Sequence, residues 1–250
     1  MEDHIEKSRN FLKDYIRLET DFTQTDQSRG IEPPPIEKPF DKEAKRIPLL
    51  KPHEWRNIEE SSLMSAISQR KSYRRFIDKP LDIEELSFLL WATQGIRKIS
   101  RMGVVLRNVP SAGNRHAFET YLAVLNVKDV ESAVYRYLPL EHELLFEFHQ
   151  PDLSAKIAQA SLDQTFVGTA PVVFIWSAIP YRMEWRYSIA AHKVIAIDVG
   201  HVCQNLYIAS HAVKCGTCAI AAYHQELMDN LIRLDGKEEF VIYLAPVGKV

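Results

Sequence analysis

The side chains best suited to chemistry lie in the basic run RKSYRRFIDK, residues 70–79. This run holds five basic groups and one acid, in a chain whose net charge is −2. Guanidinium groups bind a phosphate through paired hydrogen bonds, lysine adds a point charge, and the hydroxyl of Ser72 adds a donor. The run therefore predicts an anion site. A solvated basic turn at the end of a helix is the alternative interpretation.

Two further segments carry polar groups that could act together. The loop RNVPSAGN at 107–114 offers a hydroxyl, an amide and backbone donors to a polar heterocycle, although these are also ordinary turn residues. Arg182, Trp185, Arg186 and Tyr187 place two cations and a phenol beside an indole, at the start of a long apolar helix pattern. A surface helix start with Trp185 packed inward fits the same residues.

The three cysteines do not predict a metal or redox centre. Cys215 and Cys218 have C-x-x-C spacing, which can form a redox pair or half of a zinc site, but no second such pair follows. We expect small buried side chains and no bound metal. The odd number of cysteines also argues against a disulfide framework, so a reducing, cytoplasmic setting is expected.

Glycine spacing and charge exclude several classes of protein. The nine glycines are never closer than eight residues, so the sequence lacks a dinucleotide fingerprint, a P-loop and a nucleophile elbow. The 31 basic and 33 acidic residues nearly cancel, which gives no general attraction to nucleic acid or to anionic membranes. The longest uncharged stretch, 164–181, contains Gly168, Pro171 and Pro180 and is a poor membrane span.

The elements that must position these residues divide into an N-terminal arm, 1–60, and one domain, 61–250. The arm holds six of the thirteen prolines. The pattern from Ile5 to Leu18 fits a helix, and the run IEPPPIEKPF should be extended. The arm is either a disordered tail or an arm that lies along a partner subunit, and its scattered apolar residues fit the second interpretation.

The mixture of helix and strand patterns in the domain predicts an α+β fold with a mostly antiparallel central sheet flanked by helices. Helices are expected at 61–70, from Asp82 with Glu85 completing a capping box, at 152–169 and at 223–233. Strands are expected at 119–127, 134–137, 144–148, 172–177 and 240–247. A helix of about 28 residues is expected from Trp185 to Val213; because it is apolar on several faces, it is a core helix or one that also forms a dimer interface.

Taken in this order, the segments resemble the FMN-dependent nitroreductase superfamily and, within it, the SagB-type dehydrogenase branch. The Pro-rich arm is also similar to that branch. The resemblance covers residues 61–250 and is carried by Arg70-Lys71-Ser72-x-Arg74-x-Phe76, Pro80-Leu81, Glu85-Leu86-Ser87, the run LWATQG ending at Gly95, the run PSAGN ending at Asn114, Tyr135-Arg136-Tyr137, Trp185-Arg186-Tyr187, Asp198-x-Gly200-His201 and Gly216-Thr217.

The resemblance implies a nitroreductase-like sandwich in an intertwined homodimer, with FMN bound at the subunit interface. It assigns the phosphate and ribityl contacts to Arg70, Lys71, Ser72 and Arg74, with Lys249 as a further phosphate-binding cation. It assigns flavin contacts from the other subunit to Pro110, Ser111 and Asn114. It places the backbone N–H of Ala221 or Ala222 near flavin N5 and makes Gln164 an additional flavin contact.

The activity implied by the resemblance is hydride transfer through flavin N5. NAD(P)H is the candidate reductant, and a small nitro, quinone-like or unsaturated compound is the acceptor. Oxidation of azoline heterocycles in a modified peptide is the alternative, and a flavin-binding module without turnover is a third. Where azoline-oxidising members have a Lys–Tyr pair, this chain has Arg186 and Tyr187. These are the candidate catalytic residues, although arginine is a poor general base.

Overall fold

The computed structural model describes residues 2–99 and 105–250, so Gly103 lies outside the described residues. None of the helices in these ranges is long and apolar enough to span a membrane. In chain order, the α-helices are α1 Glu2–Leu12, α2 Tyr15–Glu19, α3 Leu63–Gln69, α4 Ile83–Gln94, α5 Leu153–Ala160, α6 Thr165–Gly168, α7 Tyr181–Tyr187, α8 Ala191–Ala212 and α9 Gln225–Leu231.

The strands form one large antiparallel sheet and a separate hairpin. They are β1 Arg46–Pro48, β2 Ile96–Ile99, β3 Val105–Arg107, β4 Phe118–Val124, β5 Ala133–Leu138, β6 Glu143–Phe148, β7 Val172–Ala178, β8 Cys215–Thr217 and β9 Phe240–Lys249. In the described residues the sheet has the order β1-β6-β5-β4-β7-β9-β8, and β2 pairs with β3. Each strand predicted from the sequence is present, with ends shifted by a few residues.

Both faces of the sheet are buried. Successive residues of a strand point to opposite sides, so a single strand contributes side chains to both faces. On β7, Phe174 and Trp176 pack in a cluster with residues of α4 and α8. Val173 and Ile175 pack in a second cluster with residues of α5 and α9. The predicted α+β architecture, a mostly antiparallel sheet flanked by helices, is therefore confirmed.

The start of α4 is the clearest local agreement with the sequence. The Asp82 side chain accepts a hydrogen bond from the backbone N–H of Glu85 at 2.8 Å. The Glu85 side chain in turn accepts one from the backbone N–H of Asp82 at 3.1 Å. This capping box satisfies two N–H groups that the first turn leaves unpaired.

The prediction of one helix from Trp185 to Val213 was wrong. Ser188 has a φ of 47°, a left-handed conformation that ends α7 before α8 begins at Ala191. Met183 of α7 and Ile195 of α8 pack in the same cluster on the sheet. The Trp185 indole N–H, by contrast, donates to the carbonyl of Ile31 in the arm at 2.9 Å.

Two other helical patterns are also divided. The pattern at 152–169 forms α5 and α6, separated by Leu162 and Asp163, whose φ angles are 57° and 59°. The pattern from Ile5 to Leu18 forms α1 and α2. Hydrophobic spacing continued across both interruptions, so spacing alone could not reveal them.

The arm packs against its own chain. Its Pro-rich run, residues 31–40, forms neither helix nor strand, and residues 36–37 are a bend. The Lys38 N–H donates to Glu119 Oε1 at 2.8 Å, and Arg136 Nη1 donates to the Lys38 carbonyl at 2.9 Å. Further along, β1 pairs with β6 and becomes one edge of the sheet.

Candidate functional site

The basic run begins where α3 ends and follows the edge of the sheet. Ser72 and Thr217 form a parallel bridge, and the Tyr73 N–H donates to the Thr217 carbonyl at 3.0 Å. Gly216 allows this approach, because a Cβ at that position would lie 2.5 Å from the ring of Tyr73. The run is therefore fixed in an extended path beside β8.

Tyr207, on α8, connects the run to the segment that follows β8. Its hydroxyl lies 2.8 Å from Ser72 Oγ and accepts a hydrogen bond of 2.8 Å from the Ala219 N–H. The guanidinium carbon of Arg70 lies 5.2 Å from the centroid of the Tyr207 ring, within the range of a cation–π contact. One phenol thus contacts two of the residues predicted to bind the cofactor.

In the described part of the chain, the cations of the run have no acidic counterpart. Arg70, Lys71, Arg74 and Arg75 are exposed, and none forms an ion pair with a carboxylate in the ranges that the structure describes. Like charges held this close repel each other. A bound phosphate would relieve that repulsion and accept hydrogen bonds from the guanidinium groups.

The segment after β8 is supported by Gln164. The side-chain amide of Gln164 donates to the Ala222 carbonyl at 3.0 Å and to the Ser161 carbonyl at 2.8 Å. Ala221 and Ala222 are exposed. Gln164 is therefore in contact with this backbone, and its position allows it to orient the segment.

The loop at 110–114 forms a second group around a buried carboxylate. Asp198, on α8, accepts a hydrogen bond of 3.0 Å from the Ala112 N–H. Burial raises the pKa of Asp198, and the bonds from Ser111 and Ala112 oppose that rise. The Ser111 Oγ also accepts a hydrogen bond of 3.0 Å from the His116 N–H, so this hydroxyl is engaged within the loop.

Asn114 uses its side chain within the same loop. Its amide nitrogen donates to the Val105 carbonyl, and its Oδ1 lies 2.9 Å from Nε2 of His116. Burial, followed by the charges of nearby arginines, lowers the pKa of His116 to about 3, so this ring is neutral at pH 7. Asn114 therefore shapes the loop, and Pro110 is exposed at its start.

The candidate catalytic pair contacts this loop through Gly113. Gly113 has a φ of 56°, and a Cβ there would lie 2.8 Å from Cδ and Nε of Arg186 and closer still to the hydroxyl of Tyr187. Position 113 thus needs glycine for both its backbone conformation and its neighbours. Arg186 and Tyr187 are both half-buried.

Within one chain, α8 separates the two groups. Asp198 and Tyr207 are nine residues apart on a regular helix, which places them about 14 Å apart along the axis and on opposite sides. The basic run contacts the part of α8 near Tyr207, and the loop at 110–114 contacts the part near Asp198. The structure assembles each predicted group but does not bring the two groups together.

The Lys249 carbonyl accepts a hydrogen bond of 3.0 Å from the Ile77 N–H of the basic run, but the Lys249 side chain has other partners. Its ammonium pairs with Glu85 and donates to the Val213 carbonyl at 2.8 Å, and the residue is only 8% exposed. These contacts give Lys249 an internal partner in place of the phosphate expected from the resemblance.

The sequence alone indicated no role for Tyr207. It placed Asp198 in a motif but did not indicate what its side chain binds. Tyr207 lies outside every motif, and only its position inside a long apolar pattern could have drawn attention to a phenol there. The three cysteines are free and buried. Among residues 2–99 and 105–250, no group of three or more His, Cys, Asp or Glu side chains could hold a metal ion.

Comparison with known proteins places this arrangement in a family. The family model described as "Nitroreductase family" matches residues 67–249, which include the basic run, the loop at 110–114 and β9. The protein called "Putative nitroreductase MJ1384", from Methanocaldococcus jannaschii, is 31% identical over 193 residues. The matched region covers 77% of this chain and 93% of that protein.

Solved structures share the fold. A "putative nitroreductase" from Ralstonia eutropha JMP134 superposes with a TM-score of 0.68 at 24% identity, over 88% of this chain and 97% of that one. A chain of the Escherichia coli microcin synthetase McbBCD complex, with truncated pro-MccB17 bound, superposes with a TM-score of 0.62 at 20% identity, over 81% of this chain and 77% of that one. At these identities the likeness concerns the fold alone.

Proposed function

The chain belongs to the nitroreductase family, and from this premise we propose that it is an FMN-dependent oxidoreductase. It would pass hydride between a reductant such as NAD(P)H and a small nitro, quinone-like or unsaturated acceptor. The observation that carries the proposal is the basic run, in which exposed cations that pair with no carboxylate of the described residues are fixed beside β8. When bound, the flavin supplies the hydride carrier.

The residues present fit such a cofactor. Arg70, Lys71 and Arg74 would hold its phosphate through charge-assisted hydrogen bonds. Ser72 would contact the ribityl chain, and its hydroxyl is already oriented by Tyr207 at 2.8 Å. The exposed backbone at 221–222 would face the flavin ring and offer N–H donors there. The roles of these residues are thus binding, orientation and donation of hydrogen bonds.

The site would be completed by a second copy of the chain. One chain holds its two groups of predicted binding residues on opposite sides of α8, so a twofold pairing could bring the basic run of one copy to the 110–114 loop of the other. An exposed stripe of α8 is available for this pairing, with Ala196, Ile197, Gly200 and Gln204 on its surface. A twofold interface buries the same stripe on both chains.

The test is retention of FMN by the purified protein. Wild type should be yellow and should release FMN on denaturation. Replacing both Arg70 and Arg74 with Ala should weaken FMN binding by at least about 100-fold, because each charge-assisted contact contributes about 1.5–3 kcal/mol. Fluorescence titration of the apoprotein with FMN measures the loss.

Arg75→Ala is the matched control in the same run. The resemblance assigns no flavin contact to Arg75, so removing Arg75 should change FMN affinity by less than removing Arg74. A colourless wild-type protein that cannot be reconstituted with FMN would sink the proposal. Flavin that binds but is reduced by neither NADH, NADPH nor an organic donor would instead favour a binding module without turnover.

Oxidation of azolines in a modified peptide is the second candidate. The observation in its favour is the likeness of fold to a chain of the microcin synthetase complex, which was solved with a truncated pro-microcin bound. The substitution of Arg186 for lysine weakens it, since arginine remains protonated. Assays of an azoline-containing peptide and a nitroaromatic compound on the same preparation separate the two candidates. If Tyr187→Phe leaves both rates unchanged, Tyr187 has no catalytic role.

A further inference from the structure

A second concentration of positive charge lies beside the 110–114 loop, apart from the basic run. Arg186 and Tyr187 pack on Gly113, and Arg115 directly follows the loop. All three side chains are half-buried. Neither guanidinium forms an ion pair with a carboxylate in the described part of the chain. Two partly desolvated cations therefore stand together without a counter-ion.

Contacts with α7 hold Arg115 in a defined orientation. Its Nε donates to the Arg182 carbonyl at 3.0 Å, and its guanidinium carbon lies 4.5 Å from the centroid of the Trp185 ring. These contacts fix the plane of the group. Within the described residues, its two terminal nitrogens have no hydrogen-bond partner. A planar fork held in this way matches the paired oxygens of a carboxylate or a phosphate.

The electrostatics around the pair favour an anion. Burial lowers the pKa of Arg115, and the charges of Arg186 and Arg182 lower it further. The two half-buried guanidinium groups thus repel each other. An anion between them would reduce that repulsion, and it would do so more strongly here than in bulk water because the site is partly desolvated.

Acidic side chains on the neighbouring elements are engaged elsewhere. Glu184, on α7, lies 2.8 Å from Nε2 of His192. Asp198, on α8, accepts the bond from the Ala112 N–H. These carboxylates therefore do not serve as partners for the two arginines.

We propose that Arg115 and Arg186 bind an oxyanion carried by the acceptor substrate, a carboxylate or an equivalent anionic group, with the Tyr187 hydroxyl as a further donor. This inference rests on the proposed function. In that proposal the 110–114 loop contacts the flavin, and the two arginines adjoin this loop. The flavin phosphate is another oxyanion of that site, but the cations of the basic run already serve it. The acceptor is thus assigned to small reducible compounds that carry a negative charge.

The test compares 4-nitrobenzoate with its neutral analogue 4-nitrobenzamide. In Arg186→Gln and Arg115→Gln, kcat/KM for 4-nitrobenzoate should fall about tenfold or more, while that for 4-nitrobenzamide should change less than about threefold. Arg9→Gln, at an exposed position on α1, is the control and should leave both values unchanged. Arg186→Gln removes a charge without disturbing the contacts that Arg115 makes with α7, so it keeps the test valid if Arg115→Gln folds poorly.

Three results would overturn the assignment to the substrate. If kcat/KM falls equally for 4-nitrobenzoate and 4-nitrobenzamide, the two arginines do not recognise the negative charge of the substrate. If the variants bind FMN more weakly than wild type but bind riboflavin equally well, the pair contacts the flavin phosphate. If the variants turn over NADPH more slowly than wild type but NADH at the same rate, the pair contacts the additional phosphate of the reductant.

A calorimetric titration with benzoate and benzamide examines the same pair without turnover. Benzoate should bind wild type and Arg9→Gln more tightly than benzamide does, and Arg186→Gln should bind benzoate about tenfold more weakly. If this pattern appears in a protein that cannot bind FMN, the proposed function fails and the oxyanion site stands. If FMN binds but benzoate and benzamide do not differ, the oxyanion site alone fails.

Discussion

At the scale of single residues, Lys249 shows a cation whose charge is satisfied inside the fold. Its ammonium contacts Glu85 and the Val213 carbonyl beside the C-terminal end of α8. Moving it toward a surface phosphate would leave Glu85 without its partner, and an unpaired, partly buried charge is costly. We therefore expect Lys249 to contribute to stability and not to cofactor affinity.

Lys249→Met should lower the free energy of unfolding by about 3–5 kcal/mol, since it removes one partner of a largely buried ion pair. The Kd for FMN should remain within about threefold of wild type. Urea unfolding and fluorescence titration measure the two quantities. Lys237→Met, at an exposed position outside the basic run, is the control. Loss of FMN affinity with unchanged stability would contradict this interpretation and restore Lys249 to the phosphate site.

The residues that could be predicted from the sequence are those whose evidence is local. The basic run and the 110–114 loop are short segments, and their side-chain chemistry is visible without a fold. Asp198 and Tyr207 act on partners 86 and 135 residues away, Ala112 and Ser72. No spacing rule connects such distant positions, so only the packing of α8 shows their tasks.

At the scale of elements, the arm brings an acidic side chain into the protein. Glu37 is 9% exposed, and one of its carboxylate oxygens accepts a hydrogen bond of 3.4 Å from the Leu140 N–H. Burial, followed by the charge of Glu141, raises the pKa of Glu37 to about 7. The folded protein therefore holds a proton on Glu37 at pH values where the unfolded chain has released it.

This shift makes stability fall as pH rises from the unfolded value of about 4.3 to about 7, because the folded state binds more protons there. Glu37→Gln should remove this effect and raise the free energy of unfolding at pH 8 by about 1–3 kcal/mol. Near pH 5 the variant should differ little from wild type. Thermal unfolding across this pH range measures the difference.

Glu32→Gln is the control within the same arm, since Glu32 is exposed. It should leave the pH profile of wild type unchanged. A Glu37→Gln protein that is less stable than wild type at pH 8 would mean that the carboxylate is ionised and paired when the protein is folded.

The break between α7 and α8 marks the limit of pattern reading at this scale. Apolar residues continue at helical spacing through Ser188, so the pattern favours one helix. The turn is set by tertiary contacts: the Gln27 N–H in the arm donates to the Trp185 carbonyl at 2.9 Å. The capping box of α4, by contrast, lies within four residues and was predicted correctly.

At the scale of the whole molecule, the exposed stripe of α8 is the surface proposed to join two copies. At its centre, a Cβ added to Gly200 would meet no atom within 4 Å. A larger side chain can therefore be placed there without disturbing the fold of one chain. This separates an effect on association from an effect on folding.

Gly200→Arg should fold but remain a monomer, because a long charged side chain would have to be buried between two helices. It should also lose FMN, since each proposed site uses residues of both chains. Light scattering after size exclusion gives the mass, and absorbance gives the flavin content. Ala155→Arg, on the exposed face of α5, is the control. A wild-type monomer that retains FMN would contradict the two-chain site.

Segments from the N-terminal half of the chain extend the large sheet at both ends. Strand β1 pairs with β6 and is the edge strand at one end, and at the other end the basic run covers β8 through the Ser72–Thr217 bridge. Uncovered edge strands invite other chains to add to a sheet, and this is a common route to aggregation. The segment proposed to bind the cofactor thus also protects the sheet from aggregation. Substitutions that detach its backbone from β8 would promote aggregation, whereas substitutions that only remove its charges would not.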